Sequence, residues 1–265
     1  RLDEVRQVDV DLLQSDLLET RSRKTVNNIS SSLSSVMKYA VANGVIAKSN
    51  LRFWMKADDT EIQAATPEEI DALLEAAEDQ RYRVAILLAS EAGLRIGELR
   101  ALRWQDINDI GATLLIASAY DVCGNLTAPK SWKSRTVPLS ARLAEELGTL
   151  ENTGPTVLTK LQNDEPLSYW ALREKMHDIY SAAGVTPKKV WHSLRHAYCT
   201  QLAAKGVPIN VIKELAGHKS IETTLRYMHT SMDQKKAAIA SVFGTPKRAS
   251  RRPSQNPKGQ TVGKT

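Results

Sequence analysis

Residues 91–107 read Glu91-Ala92-Gly93-Leu94-Arg95-Ile96-Gly97-Glu98-Leu99-Arg100-Ala101-Leu102-Arg103-Trp104-Gln105-Asp106-Ile107. Gly93 reads as the stop of an incoming helix and Arg95 as the start of the next. The Arg95 guanidinium then stands at a helix N-terminus, where unpaired backbone N–H groups also favour an anion. Glu98, three residues on, shares its face and is placed to hold it. Taken singly, the pair is an ordinary surface ion pair.

Upstream of this stretch, Thr66-Pro67-Glu68-Glu69 announces a helix: Thr66 caps, Pro67 suits the first turn, and Glu69 completes a capping box. Ile70, Leu73, Leu74 and Ala77 give that helix a buried face, and a second helix from about Arg81 runs into Gly93. Phe53 to Ala65, polar and mixed, reads as a linker. Residues 1–60 read as helical. From Lys24 the apolar positions Val26, Ile29, Leu33, Val36, Met37, Ala40 and Val41 recur at steps of three and four, and Asn43-Gly44 closes the helix. Arg21, Arg23 and Lys24 set three positive charges at its entrance, which suit either a solvated turn or a phosphate contact.

Downstream, Thr113 to Ala119 turns β-like, and Ser134 to Leu139 reads as its partner strand beyond the polar Gly124-Asn125 stretch. Helices resume near Ser140 and over Ser168 to Ala183. Further ones follow at about Ser193 to Ala204, Pro208 to Leu215, Ile221 to Met228 and Met232 to Val242. The fold class this predicts is mainly α with a small antiparallel β-sheet (α+β). The expected domains are a helical one over 1–60, a second over 61–245 and a basic disordered tail over 246–265.

Composition narrows the function. Of 265 residues 42% are hydrophobic and 25% charged, enough to bury a core, so general disorder is excluded. Cys123 and Cys199 are too few for a disulfide framework or a structural zinc site. The longest apolar run, Val84 to Ala89, is far short of the roughly 20 residues of a membrane helix. The first residue is Arg1, which reads as a fragment of a longer chain in a reducing, cytoplasmic compartment. Lys and Arg total 36 and Asp and Glu 30; six of the basic residues and no acid fall in 246–265, leaving thirty of each sign over 1–245. The tail therefore carries the basic pI of about 9.2, and a case for an anionic partner must rest on where individual charges sit.

Three further stretches carry chemistry: Pro129-Lys130-Ser131-Trp132-Lys133-Ser134-Arg135, Trp191-His192-Ser193-Leu194-Arg195-His196, and Leu215-Ala216-Gly217-His218 leading to Arg226-Tyr227-Met228-His229. Singly, each has a bland reading: a solvated hairpin lysine, a histidine on a helix face, a half-buried tyrosine. His192 and His196 have the spacing of an H-E-x-x-H metal helix, but Ser193 stands where the glutamate base belongs, which argues against metal. Together the four stretches fit one chemistry. Cutting a phosphodiester without metal needs several cations around the phosphorus, a side-chain nucleophile and an acid for the leaving oxygen. Two Arg, a Lys, two His and a Tyr make up that set.

In motif content and order the sequence resembles the tyrosine recombinase (phage integrase) family. The first arginine box is similar to Gly93-Leu94-Arg95-Ile96-Gly97-Glu98-Leu99, the hairpin lysine to Lys130 with Lys133 as runner-up, the H-x-x-R box to His192–Arg195, the Leu-Gly-His box to Leu215-Ala216-Gly217-His218, and the nucleophile box to Thr224-Leu225-Arg226-Tyr227. The resemblance spans roughly residues 24–243. It implies a core-binding domain over 1–60, shortened at its start, and a catalytic domain over 61–245. It implies a site of Arg95, Lys130, His192, Arg195, His218 and Tyr227, with His192 the base for Tyr227, Lys130 the acid, and Glu98 and His196 in support. Arg21, Arg23, Lys24, Lys133 and Arg135 become DNA-contact candidates. It implies no cofactor or metal, and duplex recombination sites as the partner. It further implies a tetramer on paired sites, a monomer when free, and a directionality factor or DNA-bending accessory protein. The role implied is integration or excision of a prophage or mobile element. The alternatives are a type IB topoisomerase-like enzyme or a dimer-resolving recombinase with the same active site; outside the family stand a non-catalytic DNA-binding regulator and a metal-dependent nuclease.

Overall fold

The computed structural model of the chain describes residues 1–56, 63–129, 133–160, 165–186, 190–228 and 232–244. It divides into two compact units, Arg1–Glu61 and Ile62–Thr265.

The first unit is built on α1 (Gln7–Leu18) and α2 (Arg23–Ala42). Ser22 caps α2 through Thr25 N–H (3.3 Å), and Gly44, at φ +69°, ends the turn that follows. The face of α2 differs from the apolar stripe expected. Val26, Met37 and Ala40 are buried, but Ile29 and Val36 are exposed, and the polar Asn27 and Ser30 are buried in their place. The cause is a returning extended segment. Asn27 Nδ2 donates to Met55 O (2.8 Å) and Asn27 Oδ1 accepts from Met55 N–H (2.9 Å). From α1, Gln14 Nε2 donates to Phe53 O (3.0 Å) and Ser30 Oγ (3.1 Å). Side-chain amides thus satisfy backbone groups that no sheet reaches. Phe53 joins Val10, Met37, Ala40 and Ile46 in the core of this unit, so the linker expected from residue 53 does not begin there.

In the second unit, α3 (Pro67–Ala76) opens with the predicted capping box: Glu69 N–H donates to Thr66 Oγ1 (3.1 Å) and Thr66 N–H to Glu69 Oε2 (2.9 Å). α4 (Gln80–Ser90) is the central helix, with residues 84–89 wholly buried. It packs against α3, α5 (Ile96–Ala101), α6 (Ala141–Thr149) and α8 (Val190–Ala204), which is why it is apolar all round rather than along one stripe. The antiparallel sheet β1 (Ile107–Asn108), β2 (Thr113–Ile116), β5 (Arg135–Pro138) has β2 at its centre, with Leu114 opposite Val137 and Ile116 opposite Arg135. Leu114, Ile116 and Val137 point inward and Leu115 outward, the period-two pattern of a half-buried strand. The expected strand over Thr113 to Ala119 stops at Ile116; Ala119–Tyr120 (β3) instead pairs with Leu126–Thr127 (β4) in a separate hairpin. That hairpin lies against α5, where a Cβ on Gly97 would collide with Tyr120 O. α7 (Tyr169–Ala182), α9 (Ile209–Ala216), α10 (Ile221–Leu225) and α11 (Met232–Phe243) complete the described elements. No helix among the described residues is long and apolar enough to cross a membrane.

Candidate active site

The site is organised by the end of α9. A helix leaves its last four carbonyls without intrahelical partners. Here Gly217 adopts the left-handed conformation (φ +61°), so His218 N–H donates to Lys213 O and Gly217 N–H to Glu214 O, both at 3.0 Å, the pairing of a Schellman cap. The next three carbonyls each take an arginine. Arg135 Nε donates to Leu215 O (2.9 Å), Arg195 Nη2 to Ala216 O, and Arg95 Nη2 to Gly217 O (3.0 Å). Three guanidinium groups from three elements thus converge on the negative end of one short helix.

Glu98 is the counterweight. Its side chain is 1% exposed, and it accepts from Arg95 Nη1 (2.9 Å), from the Arg95 backbone N–H (2.9 Å), and from Arg135 through both terminal nitrogens (3.0 and 2.8 Å). Burial opposes ionisation of Glu98, but the hydrogen bonds and charge of Arg135, with the charges of Arg95 and Arg195, hold its carboxyl down at about 2. Arg135, expected among the DNA contacts, is turned inward instead. Its side chain is 8% exposed and its fork is filled by Glu98 and a backbone carbonyl. A Cβ on Gly217 would stand 2.8 Å from Arg135 Nη1, so the cap glycine also makes room for the guanidinium.

Arg195 leaves α8 almost fully buried and bridges Gly93 O and Ala216 O. Burial, then the neighbouring charge of Arg95, lowers it to about 10, which still leaves it charged near neutral pH. His218, the residue after the cap, is 8% exposed, and its Nδ1 lies 2.9 Å from Thr224 Oγ1 on α10. Burial and the charges of Arg195 and Arg95 depress it to about 3, so it is a neutral imidazole beside the arginines. Tyr227, just past α10, stacks on that ring, with centroids 6.0 Å apart and planes 7° from parallel. Burial, with Cys199 nearby, pushes its phenol up to about 12, against the opposing charges of Arg195, Arg226 and Arg95.

The structure therefore gathers Arg95, Arg195, His218, Tyr227 and Glu98. His196 differs most from its expected supporting place: its Nδ1 is hydrogen-bonded to the Tyr227 hydroxyl. His192, expected as the base, lies one turn back on α8 and is exposed, its ring centroid 6.1 Å from that of His196. The helix periodicity that put both histidines near one face does not distinguish them; the rotation of α8, fixed by its buried residues, does. Lys130 and His229 lie outside the described residues, as does the tail over 246–265. Lys133 is exposed and lines a groove of about 510 Å³ together with Arg135, Lys213, Glu214, Gly217 and His218. Arg21, Arg23 and Lys24 are exposed at the start of α2 in the first unit. Among the described residues, no group of three or more His, Cys, Asp or Glu is arranged to hold a metal ion.

Residues 63–234 match the family model described as the phage integrase family. A tyrosine recombinase XerC-like protein of Caldanaerobacter subterraneus subsp. tengcongensis is 29% identical over 262 residues, covering 84% of this chain and 66% of that protein. Tyrosine recombinase XerA of Pyrococcus horikoshii is 27% identical over 186 residues, 67% of this chain and 60% of its own. A tyrosine recombinase of Thermosipho africanus is 30% identical over 236 residues, 83% of this chain and 77% of its own. The chain thus spans slightly under two thirds of the length of the first two. Among solved structures, the Tn1549 transposon integrase in complex with a circular intermediate DNA superposes with a TM-score of 0.79 at 21% identity, covering 91% of this chain and 86% of that one. A lambda integrase dimer bound to a COC' core site gives 0.69 at 21% identity, covering 86% and 81%. At that identity the likeness is one of fold.

Proposed function

The chain belongs to the phage integrase family, and from that premise we propose that it is a site-specific DNA recombinase that cuts and rejoins duplex DNA through a 3′-phosphotyrosyl bond to Tyr227. The observation that carries this reading is the convergence of Arg95, Arg195 and His218 on the end of α9, with the Tyr227 ring stacked against His218. A scissile phosphate gains charge as it is attacked, and fixed cationic donors stabilise it without reorganising. Each guanidinium has five N–H groups. Arg95 and Arg195 each use some of theirs to fix orientation on backbone carbonyls, and the others are what the non-bridging oxygens would take. A lysine at either position could not hold both a carbonyl and a phosphate in one plane. His218, neutral and fixed by Thr224, adds an imidazole hydrogen bond to the same oxygens.

The 5′ oxygen leaves as a hydroxyl only if an acid supplies a proton. That acid is the hairpin lysine. Lys133, lining the same groove as His218, is the described candidate beside Lys130. Because the phosphate stays covalently on Tyr227, the bond energy is kept for rejoining, so the proposed cycle needs neither ATP nor metal. The similar Tn1549 and lambda integrase structures hold DNA, which supports duplex DNA as the partner. Integration or excision of a mobile element by a tetramer on paired sites completes the proposal.

The test uses a duplex recovered by selecting random-sequence DNA against the full chain, nicked near the cleavage position so that cut product is trapped. The wild-type protein should form a covalent adduct with this duplex, in EDTA as well as with magnesium. Tyr227→Phe should bind the same duplex with unchanged affinity and form none. An undiminished adduct from that variant rejects Tyr227 as the nucleophile. For the acid, the variants Lys133→Ala and Lys130→Ala are compared on a duplex whose leaving 5′ oxygen is replaced by sulfur. The true acid is the lysine whose loss slows the oxygen substrate by about 10²-fold or more and the sulfur substrate little, because a thiolate leaves unprotonated.

A further inference from the structure

A phenol held in its neutral form must hand its proton to a neighbour before it attacks phosphorus. We propose that His196, rather than His192, is the residue that takes the proton of Tyr227 during cleavage; this rests on the recombinase reading above. Three observations converge on it. The Tyr227 hydroxyl is hydrogen-bonded to His196 Nδ1, and the two ring centroids are 5.6 Å apart at 43°. The position of that hydroxyl is fixed from the other side by the His218 ring, stacked parallel on the phenol, and by the Tyr227 N–H to Thr224 O bond at 3.0 Å. The rotation of α8 is fixed by Trp191, Leu194, Arg195, Tyr198 and Cys199, all buried, and by Arg195 bonded to carbonyls of two different elements. That rotation leaves His192 exposed and turns His196, half-buried, toward the tyrosine.

The titratable and charged groups around the pair are His192, Arg195 and Cys199 on α8, Arg95 at the start of α5, and His218, Arg226 and Tyr227 itself on and around α10. The step balances simply. The Tyr227 O–H bond breaks and its proton goes to His196 Nδ1. The oxygen forms its bond to phosphorus as the bond from phosphorus to the 5′ oxygen breaks. The leaving oxygen takes a proton from the hairpin lysine. On rejoining, the 5′-hydroxyl attacks, its proton returns to the lysine, and His196 returns its proton to the departing tyrosine.

Single-turnover formation of the covalent adduct on the selected, nicked duplex tests this across pH 5–10. His196→Asn keeps an acceptor near the Nδ1 position but cannot store a proton. It should bind DNA within about twofold of wild type, yet form the adduct about 10²-fold or more slowly at neutral pH, as loss of a general base does. Its rate should rise steadily with pH where wild type levels off. Replacing Tyr227 by a fluorinated, more acidic tyrosine should restore much of the rate in the His196→Asn background, because an already ionised nucleophile needs no base. A merely structural role for His196 predicts no such rescue. The inference is overturned if His196→Asn reacts within threefold of wild type, if the acidic tyrosine gives no rescue, or if His192→Asn shows the loss instead. Absence of any Tyr227-dependent adduct from the wild-type protein is a different result, and it overturns the recombinase reading together with this one.

Discussion

Glu98 shows how one residue changes meaning between sequence and fold. In sequence it is the i+3 partner of Arg95; in the structure it is a buried carboxylate shared by Arg95 and Arg135. Removing one member of a buried charged group leaves the others uncompensated, typically at about 3–5 kcal/mol. Glu98→Gln should therefore lower stability by that order in urea denaturation at pH 7, more than any exposed glutamate would. The pH dependence has a definite sign. The folded-state value, about 2, lies below the ordinary 4.5, so the stabilisation is complete above pH 4.5 and is lost as pH falls from roughly 5 to 2. A shift of that size corresponds to about 3 kcal/mol. Wild type should lose that increment progressively between about pH 5 and 2, and Glu98→Gln should show a shallower decline. The two cysteines differ as clearly: Cys123 is exposed, whereas Cys199 is buried and its thiol pushed up by burial. A thiol reagent should find one fast site in the native protein and two after unfolding; two fast sites in the native state contradict the packing of α8.

At the scale of elements, the C-terminus of α9 does two jobs with one glycine. The left-handed Gly217 closes the cap and lets the Arg135 guanidinium lie where a Cβ would stand. Gly217→Ala should cost at least about 1–3 kcal/mol, the range for a residue forced into a sparsely populated backbone region. It should also slow adduct formation, because Arg95 and His218 hang from the same turn. Equal stability of Gly217→Ala and wild type in urea would contradict that geometry. The cap of α3 gives a milder comparison. Thr66→Ala removes one hydrogen bond at an exposed helix start, and a loss of about 1 kcal/mol is expected with adduct formation unaffected once corrected for folding.

At the scale of the molecule, charge is unevenly divided along the chain. Six of the 36 basic residues and no acid lie in 246–265. If that tail contacts DNA, its removal should weaken binding and flatten the dependence of affinity on salt, each lost phosphate contact changing the log–log slope by about 0.9. An unchanged slope on titration from 50 to 200 mM salt assigns the tail no part in binding. The two units carry cores of very different extent, a handful of side chains around Met37 and Phe53 in the first and the large cluster around α4 in the second. Buried apolar area is the main favourable term in folding. The second unit is accordingly expected to unfold at higher denaturant, read as the order of loss of the Trp54 and Trp191 signals in single-tryptophan variants.

Local rules made much of this chain readable from sequence. The helix of residues 23–42, its glycine stop at Gly44, the capping box at Thr66 and the strands around Leu114 and Val137 all follow from interactions within a few residues. The motif residues were readable for the same reason, since each sits in a short box. The apolar stripe of α2 misled at Ile29 and Val36 because a segment some 28 residues away supplied backbone groups that Asn27 satisfies better than any apolar side chain. The sequence by itself determined the main helices and the pairing of β2 with β5, and it marked the short boxes from which the proposed site is drawn. Only the tertiary structure decided that Arg135 turns inward to Glu98 and that His196 holds the tyrosine. Those outcomes depend on contacts between residues 31 to 80 positions apart. At such separations the rotation of one helix against another, set by the packing of the whole core, selects among side chains that local periodicity leaves equivalent.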